Sequence, residues 1–193
     1  IHLFGITTPT GKYLEALLKR KKNFNLIGYS RKDKNYKCID FKKDLISDLS
    51  RKKNIFISCS PIWDFATFIE KIYNSKTNTL TQIDAFIICS SSSVITKRFA
   101  YNKFDKDLVN NLKSSEEKLI FLCEQLGIKY FILRPTMIYG TINNYVDKNI
   151  TLITKVMRHL PLIIIPRNTG FRQPIHAREL ASYIYNISIS LFS

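Results

Sequence analysis

Gly5 and Gly11 bracket the stretch FGITTPTG, six positions apart, with an apolar strand start before it and the helical pattern KYLEALLKR after it. Strand, tight turn and helix is an arrangement that holds a nucleotide phosphate. The first glycine lets the backbone turn off the strand, and the last lets the helix pack close, so that its N-terminal N–H groups face a pyrophosphate. A middle glycine would let the backbone touch the phosphates, and here that position is Thr8. Its side chain could crowd a cofactor, or its hydroxyl could bond to it. Pro9 stiffens the turn and removes one N–H, as a helix's first turn tolerates, and Thr10 completes the set of expected cofactor neighbours with Gly5, Thr8, Pro9 and Gly11.

About twenty residues further on, where an acidic side chain would bind the ribose hydroxyls of NAD, the chain reads GYSRKDK, with Ser30 and Arg31 at the selecting position. A guanidinium grips an extra phosphate bidentately and stacks on adenine, so NADP is favoured over NAD; a solvated surface arginine is the competing reading. Asp40, closing the third strand, is a candidate adenine contact. Pro61 and Trp63 in SCSPIWDF fall at the end of the fourth strand, the edge where open sheets bind ligands, although Trp63 suits packing as well.

The elements that must position these residues are short apolar runs alternating with longer helical patterns. Strands are expected at His2–Phe4, Leu26–Tyr29, Lys37–Ile39, Ile55–Ser58, Ala85–Cys89 and Tyr130–Leu133. Helices are expected at Lys12–Lys21, Lys43–Leu49, Trp63–Tyr73 and Lys106–Leu126, the last with Leu108, Leu112, Leu119, Leu122, Cys123 and Leu126 on one face and Gly127 as its stop. Continuous apolar strands alternating with helices predict an α/β fold, a Rossmann-like doubly wound parallel sheet. Residues 1–134 read as the NAD(P)-binding domain. Residues 135–193 read as part of a substrate-binding region packed on the same domain: a helix near Asp147–Arg158, a proline-bounded strand at Leu160–Pro166 and a helix from Ala177.

The composition sets limits. The 193 residues suit one domain, and 45% hydrophobic with 23% charged residues is ordinary for a globular chain. No apolar run approaches the roughly 20 residues of a membrane span. Cys38, Cys59, Cys89 and Cys123 are far apart with no C-x-x-C, which argues against a metal site and for reduced thiols in a cytoplasmic protein. The net charge of +15 is spread along the chain rather than gathered into a basic–aromatic stripe. It fits solvated lysines, or an anionic ligand such as a phosphate-rich cofactor, better than nucleic acid. The chain starts at Ile1 rather than Met, so a longer parent chain is expected.

FGITTPTG, FIICSSSSV (Phe86–Val94), ILRPTMIYG (Ile132–Gly140) and RQPIHARELA (Arg172–Ala181) together resemble the extended short-chain dehydrogenase/reductases, in their NAD-dependent epimerase/dehydratase branch. The resemblance implies hydride exchange between a nicotinamide and a nucleotide sugar or a similar small alcohol or ketone. It implies that Ser91 orients the substrate oxygen and that Pro135, Thr136 and Tyr139 neighbour the cofactor or substrate. Arg172, Gln173 and His176 are substrate candidates, an arginine there being suited to a diphosphate, with His176 equally suited to fixing its loop. The family often dimerises through the helix that Lys106–Leu126 would supply. It also implies a small C-terminal substrate lobe, incomplete within these residues.

The family's acid/base dyad is Y-x-x-x-K, in which the lysine lowers the phenol's pKa from near 10. None of the ten tyrosines here has a lysine four residues later. Counting back from the Arg-Pro pair through Glu116–Glu117 puts the two positions near Leu108 or Val109 and Leu112 or Lys113. The resemblance is therefore to atypical members lacking the dyad. Tyr101 and Tyr139 are candidate substitutes, and Lys97 is the nearest cation in sequence. The competing expectation is a non-catalytic dinucleotide-binding sensor or scaffold.

Overall fold

The computed structural model describes residues 1–193 apart from 22, 23, 47, 48, 50, 51, 76, 148, 160–172 and 193. In chain order the main sheet receives β1 (His2–Phe4), β2 (Ile27–Ser30), β3 (Lys37–Cys38), β4 (Ile55–Ser58), β5 (Ala85–Cys89) and β6 (Lys129–Leu133). They pair in the order β3-β2-β1-β4-β5-β6, all parallel. The order reverses between β1 and β4, and that is where an open α/β sheet leaves a crevice beyond its carboxyl ends. β4 and β5 are buried along their whole length because both of their faces are covered. β6, at the edge, leaves Tyr130 and Phe131 partly exposed.

Helices cover both faces. On one lie α1 (Pro9–Lys19) and α6 (Ala177–Ser190), which pack together and bury Leu14, Leu18, Leu180 and Ile184 against Leu3, Ile57 and Ile87. On the other lie α2 (Ile62–Asn74) and α4 (Lys103–Leu126), the latter following β5 after the short α3 (Ser93–Thr96). That face is dominated by aromatic rings: Phe4 stacks on Tyr29 at 4.7 Å and tilts against Phe65 at 5.3 Å. The α4 boundaries follow from its sequence. The Asn102 side chain accepts from Asp105 N–H at one end, and Gly127 takes φ 66° at the other.

Two expectations shift. Lys43–Leu49 is not a helix among its described residues. Asp40 instead builds a closed turn, its side chain accepting from Lys42 N–H and its carbonyl from Lys43 and Asp44 N–H, while the Asp44 carboxylate accepts from Asp40 N–H. Beyond Arg134 the chain adds two-residue strands, β7 (Ile138–Tyr139), β8 (Thr141–Ile142) and β9 (Tyr145–Val146), before α5 (Asn149–His159) and then β10 (Ile175–His176), which pairs with β7. The strand expected at Leu160–Pro166 lies outside the described residues. No described helix is long and apolar enough to cross a membrane.

Candidate functional site

The turn after β1 is fixed by glycines that nothing else can replace. Gly5 has φ 72°, and a Cβ there would lie 2.6 Å from the Cys59 carbonyl carbon; at Gly11 it would lie 2.4 Å from the Gly5 carbonyl oxygen. The turn after β1 and the turn after β4 therefore touch at the reversal point. Thr8 sits in ordinary extended backbone as the N-cap of α1, so the missing middle glycine costs no strain. Its hydroxyl donates to the Gly5 carbonyl at 2.8 Å and accepts from Gly11 N–H at 3.0 Å. Of the first four helical positions, Pro9 has no N–H, Gly11 gives its own to the Thr8 hydroxyl and Lys12 to the Thr8 carbonyl. The N–H of Thr10 is the one left for an incoming anion.

Two cavities meet at Thr7 and Thr8. One, of about 110 Å³, runs toward β2 and α2 between Ser30, Arg31, Ile39, Phe41 and Pro61. The other, of about 290 Å³, runs toward β5 over Cys59, Cys89, Ile138 and Asp147. Together they form a bent trough across the turn, with an aromatic and cationic arm and a mostly apolar arm. The Ser30 hydroxyl accepts from Lys32 and Asp33 N–H and so holds the loop that carries Arg31. Asp40 lies between the lining residues Ile39 and Phe41, with its carboxylate engaged by Lys42 N–H. Trp63 is exposed at the start of α2, while its neighbours Pro61 and Asp64 line the cleft. Larger cavities lie at the opposite ends of the strands, around Phe24 and Lys53, away from the glycine turn.

Past β5, the ladder to β6 continues beyond both strands: Ser90 N–H donates to the Leu133 carbonyl and Ser92 N–H to that of Pro135. This brings Ser91 alongside Pro135. The Ser91 hydroxyl accepts from Ser93 N–H at 3.2 Å. The nearby carboxylate of Glu116 is buried and takes hydrogen bonds from Ser90 and Arg134. One and two turns earlier on α4 stand Leu112, buried in the core, and Leu108, packed against it. The other candidates are dispersed: Tyr101 is 96% exposed, and Lys97 is paired with Asp105 at 2.6 Å.

Tyr139 is held edge-on against His176, ring centroids 5.0 Å apart. His176 caps α6, its Nδ1 accepting from Arg178 N–H, and its ring rests where a Cβ on Gly140 would come within 2.7 Å. These contacts tie the His176 ring to the start of α6 and to the chain at Gly140. Gln173 is exposed and its carbonyl accepts from the Thr136 hydroxyl. Arg172 lies outside the described residues. The β8–β9 hairpin rests on α1: Tyr145 donates to Asp33 at 2.7 Å, and the Lys12 ammonium lies over the Tyr36 and Tyr145 rings while pairing with Glu15. Sequence reasoning missed Thr7, which adjoins Thr8 in the turn itself, and Ile39, Phe41, Cys59 and Cys89, which only strand order brings to one crevice. No described cluster of three or more His, Cys, Asp or Glu could hold a metal ion.

No protein-family model matches the sequence, and no curated protein does. Solved structures do. UDP-glucuronic acid 4-epimerase from Bacillus cereus, in complex with NAD, superposes with a TM-score of 0.71 at 14% identity, over 97% of this chain and 72% of that one. UDP-N-acetylglucosamine 4-epimerase from Bacillus cereus gives 0.66 at 13% identity, over 95% and 69%. Gre2 from Candida albicans gives 0.64 at 13% identity, over 98% and 73%. At such identities the likeness speaks for the fold. This chain shares the Rossmann-like α/β fold of these two epimerases and of Gre2.

Proposed function

We propose that the trough across the β1–α1 turn binds a nicotinamide adenine dinucleotide, and that the chain is an epimerase/dehydratase-like protein acting on a nucleotide sugar or a similar small alcohol or ketone in the cytoplasm. The observation that carries the reading is the pair of backbone-limited glycines. Gly5 and Gly11 leave no room for a Cβ, and the turn they close carries Thr7 and Thr8, which line both cavities. The adenosine half belongs in the smaller arm against Ile39 and Phe41, with Arg31 beside the ribose, which favours NADP over NAD. The pyrophosphate belongs at Thr10 N–H, and the nicotinamide in the arm over Cys59 and Cys89. Residues 135–193 supply part of the substrate side, with Gln173 and Arg172 as its polar contacts.

A bound nicotinamide supplies hydride exchange; the chain must supply orientation and proton transfer. Ser91 orients the substrate oxygen beside Pro135. Tyr139 is the candidate phenol, with its ring direction set by His176. A second reading, a dinucleotide-binding sensor or scaffold without catalysis, is favoured by Leu108 and Leu112, whose side chains belong to the core rather than to a proton relay.

Calorimetric titration with NADPH and NADH, each repeated on Arg31→Ala, tests the binding. The expected result is micromolar NADPH affinity that falls at least tenfold in the variant, with NADH little changed; absence of binding by either cofactor sinks the proposal. Nicotinamide absorbance with a panel of UDP-sugars then separates the two readings. Turnover that Ser91→Ala abolishes supports the enzyme, and binding without turnover across the panel supports the sensor.

A further inference from the structure

The floor of the larger arm holds two thiols that the proposed chemistry does not use. β4 and β5 pair in register through Ser58↔Ile88, so Cys59 and Cys89 are the next pair along the same ladder. The register is kept on the other side too, since Cys59 N–H donates to the Phe4 carbonyl at 2.9 Å. Residues paired in register on parallel strands point to the same face, and neighbouring strands lie about 4.8 Å apart. That falls within the roughly 4.4–6.8 Å between Cα atoms that a disulfide spans. Both side chains line the cavity that begins at Thr7 and Thr8, so a small solute reaches them from the crevice. Cys38 is exposed, and Cys123 is buried on the core face of α4.

We infer that Cys59 and Cys89 form an oxidisable dithiol in the dinucleotide cleft, a modification site for a hydroperoxide, and that its oxidation and dinucleotide binding exclude one another. The chemistry balances with the peroxide as named oxidant. One thiol gives up its proton and the thiolate attacks an oxygen of hydrogen peroxide; the O–O bond breaks, and the departing hydroxide takes up a proton to leave as water, giving a sulfenic acid. The second thiol displaces the sulfenic oxygen as a second water, forming the S–S bond. The two sulfurs lose two electrons and two protons in all. Coupling to the binding turn is steric. The Cys59 backbone lies against Gly5, so a bond that draws Cys59 toward Cys89 alters the wall on which the turn rests. The neighbouring Cys89 thiol and burial both hold the Cys59 thiol well above its ordinary pKa. Oxidation that starts at Cys59 therefore quickens as pH rises and its thiolate fraction grows.

The exclusion by dinucleotide rests on the proposed cofactor reading; the dithiol does not. The experiment treats the whole chain with hydrogen peroxide at neutral and alkaline pH, then maps peptides by mass spectrometry without reductant. The expected product is a Cys59–Cys89 crosslink, a loss of two hydrogens, formed faster at the higher pH, while Cys38 advances to sulfenic and sulfinic forms. Cys59 and Cys89 remaining as thiols when Cys38 is oxidised, or each becoming sulfinic without a link, overturns the inference. Cys59→Ser and Cys89→Ala serve as separate controls, each checked for folding by circular dichroism, and neither gives the linked peptide. NADPH at a concentration that titration shows to saturate slows crosslinking at least tenfold; an unchanged rate overturns the exclusion. If titration shows no dinucleotide bound, the cofactor reading and the exclusion fall, and the crosslink result alone decides the dithiol.

Discussion

Arg134 holds Glu116 with two nitrogens, Nη2 lying 2.6 Å from Oε2 and Nε 3.1 Å from Oε1. Ser90 donates to the same carboxylate. One buried acid on α4 thereby ties down the chain leaving β5 and the chain leaving β6, the two segments that carry Ser91 and Pro135. Arg134→Ala leaves that carboxylate buried with one partner fewer, and stability measured by urea unfolding should fall by about 3 kcal/mol. Arg134→Lys keeps the charge but not the fork, and should recover only part of the loss.

Thr8 trades one function for another, since its hydroxyl caps α1 with the N–H that a phosphate would otherwise take. Thr8→Ala should cost about 1 kcal/mol in thermal or chemical denaturation, the usual cost of a lost N-cap. Thr8→Gly should cost only a few tenths of a kcal/mol. It also releases Gly11 N–H, so dinucleotide affinity by calorimetry should rise. Tighter binding by Thr8→Ala than by Thr8→Gly would contradict this account.

Leu112 is 3% exposed at a position where the dyad's lysine is expected by resemblance. If it is now core, Leu112→Ala should destabilise by about 3 kcal/mol and leave dinucleotide affinity unchanged. A loss below about 1 kcal/mol with altered affinity would mean that the side chain still lines the site.

Glu15 gives the acid limb of stability a specific source. Burial pushes its carboxyl upward, but hydrogen bonds from Lys19, Tyr36 and Lys12 outweigh it, and the pKa lies below the ordinary 4.5. A carboxyl lowered in the folded state stabilises fully above its unfolded pKa, and the gain drains away as pH falls through the folded value. The melting temperature should therefore drop on acidification below about pH 4.5, and Glu15→Gln should flatten that drop while lowering stability at neutral pH. Because Lys12 also lies over Tyr145, the variant should loosen the β8–β9 hairpin, visible as faster amide exchange at Tyr145 and Val146.

The sheet was readable because β5 is an unbroken apolar run and β1 and β4 each depart from one by a single polar residue, His2 and Ser58, as strands covered on both faces require. β2 came out displaced by one residue, Ile27–Ser30 rather than Leu26–Tyr29, because pairing with Lys37 and Cys38 extends it to Ser30. Charged residues in Lys43–Leu49 mimicked a helix, yet Asp40 and Asp44 spend their carboxylates on backbone N–H groups and close a turn instead. Strands of two residues, such as β7 to β9, carry no periodicity at all. In the candidate site the glycine turn was legible because steric need shows in residue type. The cavity walls were not, since Ile39, Phe41 and Cys89 become neighbours of Thr8 only through the order of the strands.

The packing of α6 on α1 has a consequence for synthesis. Leu14 and Leu18 emerge from the ribosome long before their cover, Leu180 and Ile184. A nascent chain of residues 1–134 therefore carries a bare apolar face on one side of its sheet, which invites aggregation or chaperone capture. Residues 1–134 are therefore not a unit of folding, and expressed alone they should be recovered largely as insoluble protein.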